Sequence, residues 1–284
     1  MSNLLEIKNL SKTFSSFSLK DITFSIPGGS IMGMIGENGA GKTTTIKLIL
    51  NELRPSSGEV TIFGLDFNEH ERKIKQDIGV VFDDFYVPQE FTPLQIGSML
   101  RHFFPNWDAP LYDRYLQQFD LPREQTLADF SKGMRMKLSL VSALSHHPKL
   151  LILDEATSGL DPVVRSEILD LLLEFICDEE HSILFSTHIT SDLERVADYI
   201  TYLHKGEVLF SESKLALLDS YGVLKCSHEA FAALDSADIV RVRKNSYGCE
   251  VLVKDRATIA KRYPQHLVDA PSIDEIMVFY GKEE

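Results

Sequence analysis

No stretch of this 284-residue chain approaches the roughly 18 consecutive apolar residues that a membrane-crossing helix needs. Any role at a membrane is therefore expected to come through a partner. The start, MSNLLEIKNL, mixes charge with apolar groups and has no signal-type apolar run, so the chain is expected in the cytosol. Cysteine is scarce, and Cys177, Cys226 and Cys249 stand far apart without metal-type spacing. They are expected to be inert thiols in a reducing compartment. Basic charge is in deficit, with 29 Lys and Arg against 42 Asp and Glu, a formal net charge of -13. That balance argues against nucleic acid as a partner, because neutralising its phosphates takes a basic face. Internal repeats and low-complexity tracts are lacking too.

What is present is 44% hydrophobic residues, enough for a substantial core. Leu4 to Leu10 and Leu19 to Ile26 alternate like antiparallel strands, with a turn at Pro27-Gly28-Gly29. Ser30 to Ile35 is an apolar strand running into a glycine-rich loop, and Thr44 to Leu53 continues at helical spacing. Arg54 to Gly58 ends that helix, and Glu59 to Phe63 is expected to be another strand. From about residue 84 to 147 the pattern turns to helices broken by prolines, which predicts an inserted helical subdomain. Leu150 to Leu153 and Ser182 to Ser186 are short apolar runs of the kind found in a parallel sheet covered on both faces, with helical spacing over Val163 to Cys177 between them. Tyr199 to Leu203 and Glu207 to Phe210 predict a hairpin, and a second is expected over Ile239 to Val253. Ser272 and Glu275 form a capping-box pair for a helix to Tyr280.

Gly36-Glu37-Asn38-Gly39-Ala40-Gly41-Lys42-Thr43 matches the phosphate-loop pattern in full, with the strand before it and the helix, beginning at Thr44, after it. Loop N–H groups and the positive helix end receive phosphate oxygens, Lys42 reaches the β and γ phosphates, and the Thr43 hydroxyl holds Mg²⁺. Asp154 and Glu155 end an apolar strand, where ligands of open α/β sheets bind. Asp154 suits Mg²⁺, and Glu155 suits the polarisation of a water that attacks the γ phosphate. His188 ends the next strand and is expected beside the same phosphate.

The order of these motifs resembles the ATPase subunit of an ABC transporter, over about residues 3 to 211. Ser131-Lys132-Gly133-Met134-Arg135 occupies the place of the family's Leu-Ser-Gly-Gly-Gln signature, and Ser158-Gly159-Leu160-Asp161 matches its D-loop. The resemblance implies that Ser131 and Gly133 bind the γ phosphate held by a second ATPase subunit, identical or homologous, with Asp161 in the loop linking the two sites. It implies ATP and Mg²⁺ as cofactors, a polytopic membrane subunit as partner, and a place on the cytoplasmic face of the membrane.

The chain departs from the family pattern in three places. Phe130, Lys132 and Met134 replace Leu, Gly and Gln in the signature. Asp83 stands where the family has a glutamine; it can accept Mg²⁺ or water contacts but cannot donate as an amide does, and Gln89 is the alternative. The resemblance implies Phe14 as the adenine-stacking aromatic, a Phe where the family usually has Tyr, with Phe17 as competitor. Asp84 to Trp107 is rich in aromatics, which suits either the groove that receives a helix of the membrane subunit or ordinary core packing.

The fold class implied is α/β: a P-loop NTPase core with an antiparallel β subdomain, an inserted helical subdomain and a small C-terminal α/β appendage. Residues 1–211 are expected to form the ATPase domain and residues 212–284 a small separate domain. Asp83-Asp84-Phe85-Tyr86 and the short appendage resemble bacterial exporter ATPases for antimicrobial or cytolytic peptides, including those that expel phenol-soluble modulins. The alternatives are a soluble ABC-type ATPase acting on ribosomes or DNA, and a slow-turnover regulatory module.

Overall fold

The computed structural model describes residues 3–281. The chain begins with strands β1 (Asn3–Thr13), β2 (Ser18–Pro27) and β3 (Ser30–Ile35), then helix α1 (Lys42–Ile49), β4 (Ser57–Ile62), β5 (Leu65–Asp66), α2 (Phe67–Gln76) and β6 (Ile78–Val81). Helices α3 (Pro93–Phe103), α4 (Ala109–Gln118) and α5 (Lys132–Leu144) follow, then β7 (Leu150–Asp154), α6 (Pro162–Phe175), β8 (Ser182–Thr187), α7 (Thr190–Val196), β9 (Tyr199–His204) and β10 (Glu207–Ser213). The remainder is α8 (Lys214–Ser220), β11 (Tyr221–Cys226), α9 (His228–Ala232), β12 (Ile239–Asn245), β13 (Gly248–Lys254), α10 (Arg256–Arg262), β14 (Val268–Asp269) and α11 (Ile273–Gly281). None of the helices among the described residues is long and apolar enough to cross a membrane.

A six-stranded sheet in the order β10-β9-β3-β8-β7-β6 forms the centre, with parallel pairing throughout except for the β9–β10 hairpin. Its strands read as nearly unbroken apolar runs because both faces are covered. Side chains alternate between the faces: Met32, Met34, Ile152 and Leu184 pack with α1 and the antiparallel sheet β2-β1-β4-β5, while Ile31, Leu151, Leu153, Ile183 and Phe185 pack with α5, α6 and α7. The carboxyl ends of β3, β7 and β8 therefore finish side by side.

The helical segment has its own core around Ile96, Tyr112, Leu116 and Phe130. Helix α5 belongs to both: Leu138 and Val141 face that core, whereas Met136, Leu140 and Ala143 face the central sheet. Helix α5 thus links the helical core to the central sheet. Before α3, residues 84–92 are irregular rather than helical, ended by the Thr92–Gln95 capping box, with Thr92 N–H donating to Gln95 Oε1 at 3.0 Å.

The C-terminal residues form a third sheet, β12-β13-β11-β14, with a small core around Leu224, Val251, Val253 and Ile259. This segment does not stand apart from the central sheet, however. Val223, Leu252, Ile273, Ile276 and Phe279 join the same core cluster as Leu193, Tyr202 and Phe210. Helix α11 is further tied to α7, because Ile273 N–H donates to Glu194 Oε1 at 3.1 Å and Thr190 Oγ1 to Asp274 Oδ1 at 3.3 Å. The Ser272–Glu275 capping box is formed, with both reciprocal bonds present.

Candidate functional site

The glycine-rich loop joins β3 to α1 in a backbone path that larger residues could not follow. A side chain at Gly36 would place its Cβ 2.2 Å from the Leu203 carbonyl oxygen, and Gly41, the N-cap of α1, has φ 111°. Glu37, Asn38 and Gly39 are exposed, Ala40 is packed inward, and Thr43 and Thr44 lie at or near the surface on the first turn of α1. The loop thus ends at the N-terminus of α1, the positively polarised end of a helix.

Lys42 is buried, and its Nζ donates to the carbonyls of Gly36 at 2.7 Å and Glu37 at 3.3 Å. It also lies 3.2 Å from Glu155 Oε1. The second oxygen of Glu155 contacts His188 Nδ1 at 2.6 Å, so lysine, carboxylate and imidazole make one continuous cluster at the ends of β3, β7 and β8. Residues 33 positions apart meet because β7 and β8 pair in parallel with Asp154 opposite Ser186. Asp154 is buried, and its Oδ1 has no hydrogen-bond partner. Burial pushes the Asp154 carboxyl above its ordinary range, while the Thr43 and Ser186 hydroxyls beside it pull the other way.

The other sequence-predicted residues occupy two further places. Ser131 caps α5, its Oγ accepting the Met134 N–H at 3.2 Å, and the buried Gly133 lies under Val164. Asp161 caps α6, accepting the N–H groups of Val163 and Val164 at 3.0 and 3.1 Å. These two caps are tied within the chain by Lys132, whose Nζ donates to the Ser158 carbonyl at 2.7 Å. Neither Ser131 nor Gly133 has a side-chain hydrogen bond or ion pair to the Lys42–Glu155–His188 cluster among the described residues.

Asp83 is exposed beyond β6 and lines a small cleft of about 280 Å³ with Lys132 and Arg135, an acid facing two bases. No described hydrogen bond or ion pair joins it to Thr43 or Asp154. Gln89 is exposed as well, its backbone carbonyl accepting the Ala128 N–H in the helical segment. The phenyl ring of Phe14 is exposed with the Lys12 ammonium 5.7 Å from its centroid, whereas Phe17 is half-buried and packs against the core beside Gly41. The aromatic run divides: Phe91 and Trp107 pack against the helical core, Tyr86, Phe103 and Phe104 line a groove of about 730 Å³ with edge strand β6, and Phe85 does both.

Sequence reasoning missed Thr157, Arg165 and Asp192, which form a polar junction behind Glu155 in which Thr157 and Asp192 are buried and Arg165 is partly exposed. A polar residue at a core-facing helical position, Asp192 beside the buried Leu193, is the one signal that marks it.

A family model described as ABC transporter matches residues 19–158. The chain is 32% identical over 203 residues to the ABC transporter ATP-binding protein YtrB of Bacillus subtilis (strain 168), covering 70% of this chain and 68% of that protein. It is 33% identical over 215 residues to the bacitracin transport ATP-binding protein BcrA of Bacillus licheniformis, covering 74% and 69%. Among solved structures, an ATP binding subunit of an ABC transporter superposes with a TM-score of 0.69 at 30% identity, over 75% of this chain and 91% of that one. The cbiO1 protein of Clostridium perfringens, part of the ABC transporter complex cbiONQ, gives 0.63 at 25% identity, over 75% and 89%. With its phosphate loop, carboxylate strand end and histidine assembled as above, this chain belongs to the ABC transporter family as an ATP-binding subunit, an ATPase.

Proposed function

We propose that the chain works as one of a pair of subunits, identical or homologous, that close around two MgATP molecules and drive a separate membrane-spanning subunit. The observation that supports this reading is the Lys42–Glu155–His188 cluster beside the phosphate loop, to which no described hydrogen bond or ion pair joins Ser131. One chain supplies the cradle and the hydrolytic groups to its own ATP. Its Ser131 and Gly133, at a helix N-terminus suited to anions, serve the γ phosphate held by the second chain.

Within the cradle, Lys42 neutralises phosphate charge, Glu155 accepts a proton from the attacking water, and His188 holds the Glu155 carboxylate. Thr43 and Asp154 are the residues that would hold Mg²⁺. The unpartnered Oδ1 of Asp154 and the hydroxyl beside it fit a cation that seeks oxygen ligands, whose chemistry is to neutralise charge on the phosphates. Phe14, exposed where Phe17 is not, stacks on the adenine, and Asp83 would offer an acceptor to Mg²⁺ or to a water on it.

The apolar groove beneath Tyr86 and Phe103 receives a short helix of the membrane subunit, which places the chain on the cytoplasmic face of the membrane. Similarity to a bacitracin transport protein supports an exporter of antimicrobial or cytolytic peptides or similar amphipathic compounds. Residues 1–211 act as the ATPase domain, with 212–284 as a C-terminal domain braced against it through α11.

Glu155→Gln tests the reading. It should bind ATP, lose hydrolysis by about 100-fold or more, and accumulate as a closed dimer with MgATP. A variant that stayed monomeric in size-exclusion runs at high protein concentration would remove the paired mechanism.

A further inference from the structure

Glu155 has φ 54°, in the left-handed region that residues other than glycine keep only where their surroundings fix it. The turn around it is short: Glu155 N–H donates to the Ser186 carbonyl and Ser158 N–H donates to the Glu155 carbonyl, both at 3.0 Å. Inside this turn Thr157 is buried, and its Oγ1 donates to Asp192 Oδ2 at 2.7 Å. Asp192 is fully buried. Its other oxygen accepts from Arg165 Nε at 2.5 Å, and Arg165 also donates through Nη2 to Ser191 Oγ at 2.6 Å.

A carboxylate taken out of water is retained only with such partners, and removing one leaves the rest exposed to the full cost of desolvation. Thr157 lies two residues beyond Glu155, and Asp192 four beyond His188. The buried carboxylate therefore joins the two segments that make the 2.6 Å Glu155–His188 contact, and Arg165 fastens both to α6.

We propose that Asp192 is a positioning residue, which holds through Thr157 the strained turn that aims Glu155 at His188 and at the attacking water. The assignment rests on the reading of Glu155 and His188 as the hydrolytic pair. Loss of the Thr157 hydroxyl lets the turn relax while leaving the phosphate loop intact, so chemistry suffers and nucleotide binding does not. Misplacement of a catalytic group by a fraction of an ångström to 1 Å is enough to slow turnover by about 10- to 100-fold.

The test uses the full chain, with steady-state ATP turnover, fluorescent-ATP binding in the presence of Mg²⁺, and a thermal melt. Wild-type turnover is measured first, and its absence overturns the hydrolytic reading itself. Thr157→Val, which keeps the shape and removes the hydroxyl, should lower kcat about 10-fold or more with Kd within about twofold. Thr157→Ser should return kcat to within about threefold of wild type. An active wild type with undiminished Thr157→Val turnover, a Kd that rises in step with the loss, or no rescue by serine overturns the assignment. Should Thr157→Val not fold, Asp192→Asn is read in the same way: reduced kcat at unchanged Kd supports the assignment, and undiminished kcat overturns it.

Discussion

His188 Nδ1 and Glu155 Oε2 lie 2.6 Å apart, although 33 residues of chain separate them. The contact leaves Glu155 bound on one side to imidazole and on the other to the Lys42 ammonium, 3.2 Å away. His188→Ala removes one of these supports and leaves the phosphate loop alone. Its kcat should fall about 10- to 100-fold with little change in KM, as expected for a group that acts on the hydrolytic step rather than on binding. Steady-state ATP turnover checks this, and a rise in KM at unchanged kcat would assign His188 to binding instead.

The two candidate adenine aromatics differ in burial, which separates their phenotypes. Phe14 is exposed, so Phe14→Ala should weaken nucleotide binding about 3- to 10-fold, the scale of one stacking contact, without moving the thermal midpoint. Phe17 is partly buried and packs against the core under the loop, so Phe17→Ala should cost about 1 to 2 kcal/mol of stability. Fluorescent-ATP titration and thermal melts of both variants decide the matter.

Much of this architecture was legible because strong periodicity and the phosphate-loop motif act over short stretches. Ser30–Ile35, the β9–β10 hairpin and the Ser272–Glu275 cap lie where alternation and capping chemistry put them. Helix α2 escaped because only Phe67 and Ile74 are buried along ten residues, too few to show a period; Asp66, accepting the N–H groups of Asn68 and Glu69, was its readable sign. The bracing of α11 against α7 was also out of reach. It depends on packing between segments about 80 residues apart, which the local pattern does not encode. At the site, the order of motifs named Lys42, Glu155 and His188, but the Asp192 junction lacks a motif and emerges only from the fold.

His146 supplies a pH dependence. Its ring stacks on Phe104 with centroids 4.0 Å apart, its Nε2–H donates to the Ile78 carbonyl at 3.0 Å, and burial lowers its pKa to about 4. The unfolded chain then takes up a proton near the ordinary 6.5 while the folded chain does not. Its contribution is complete above about pH 6.5 and is lost as the pH falls toward 4, roughly 2 kcal/mol by pH 5. Chemical denaturation of wild type and His146→Gln between pH 7.5 and 5 should show a steeper loss in the wild type, and parallel curves would contradict this.

The central claim, that each chain lends its Ser131 turn to ATP held by another, is tested most directly by turnover per chain during serial dilution. The account predicts that specific activity falls steeply once protein concentration drops below the dimer's dissociation constant and returns on reconcentration. Full turnover by a demonstrably monomeric chain, constant across the dilution series, would contradict it.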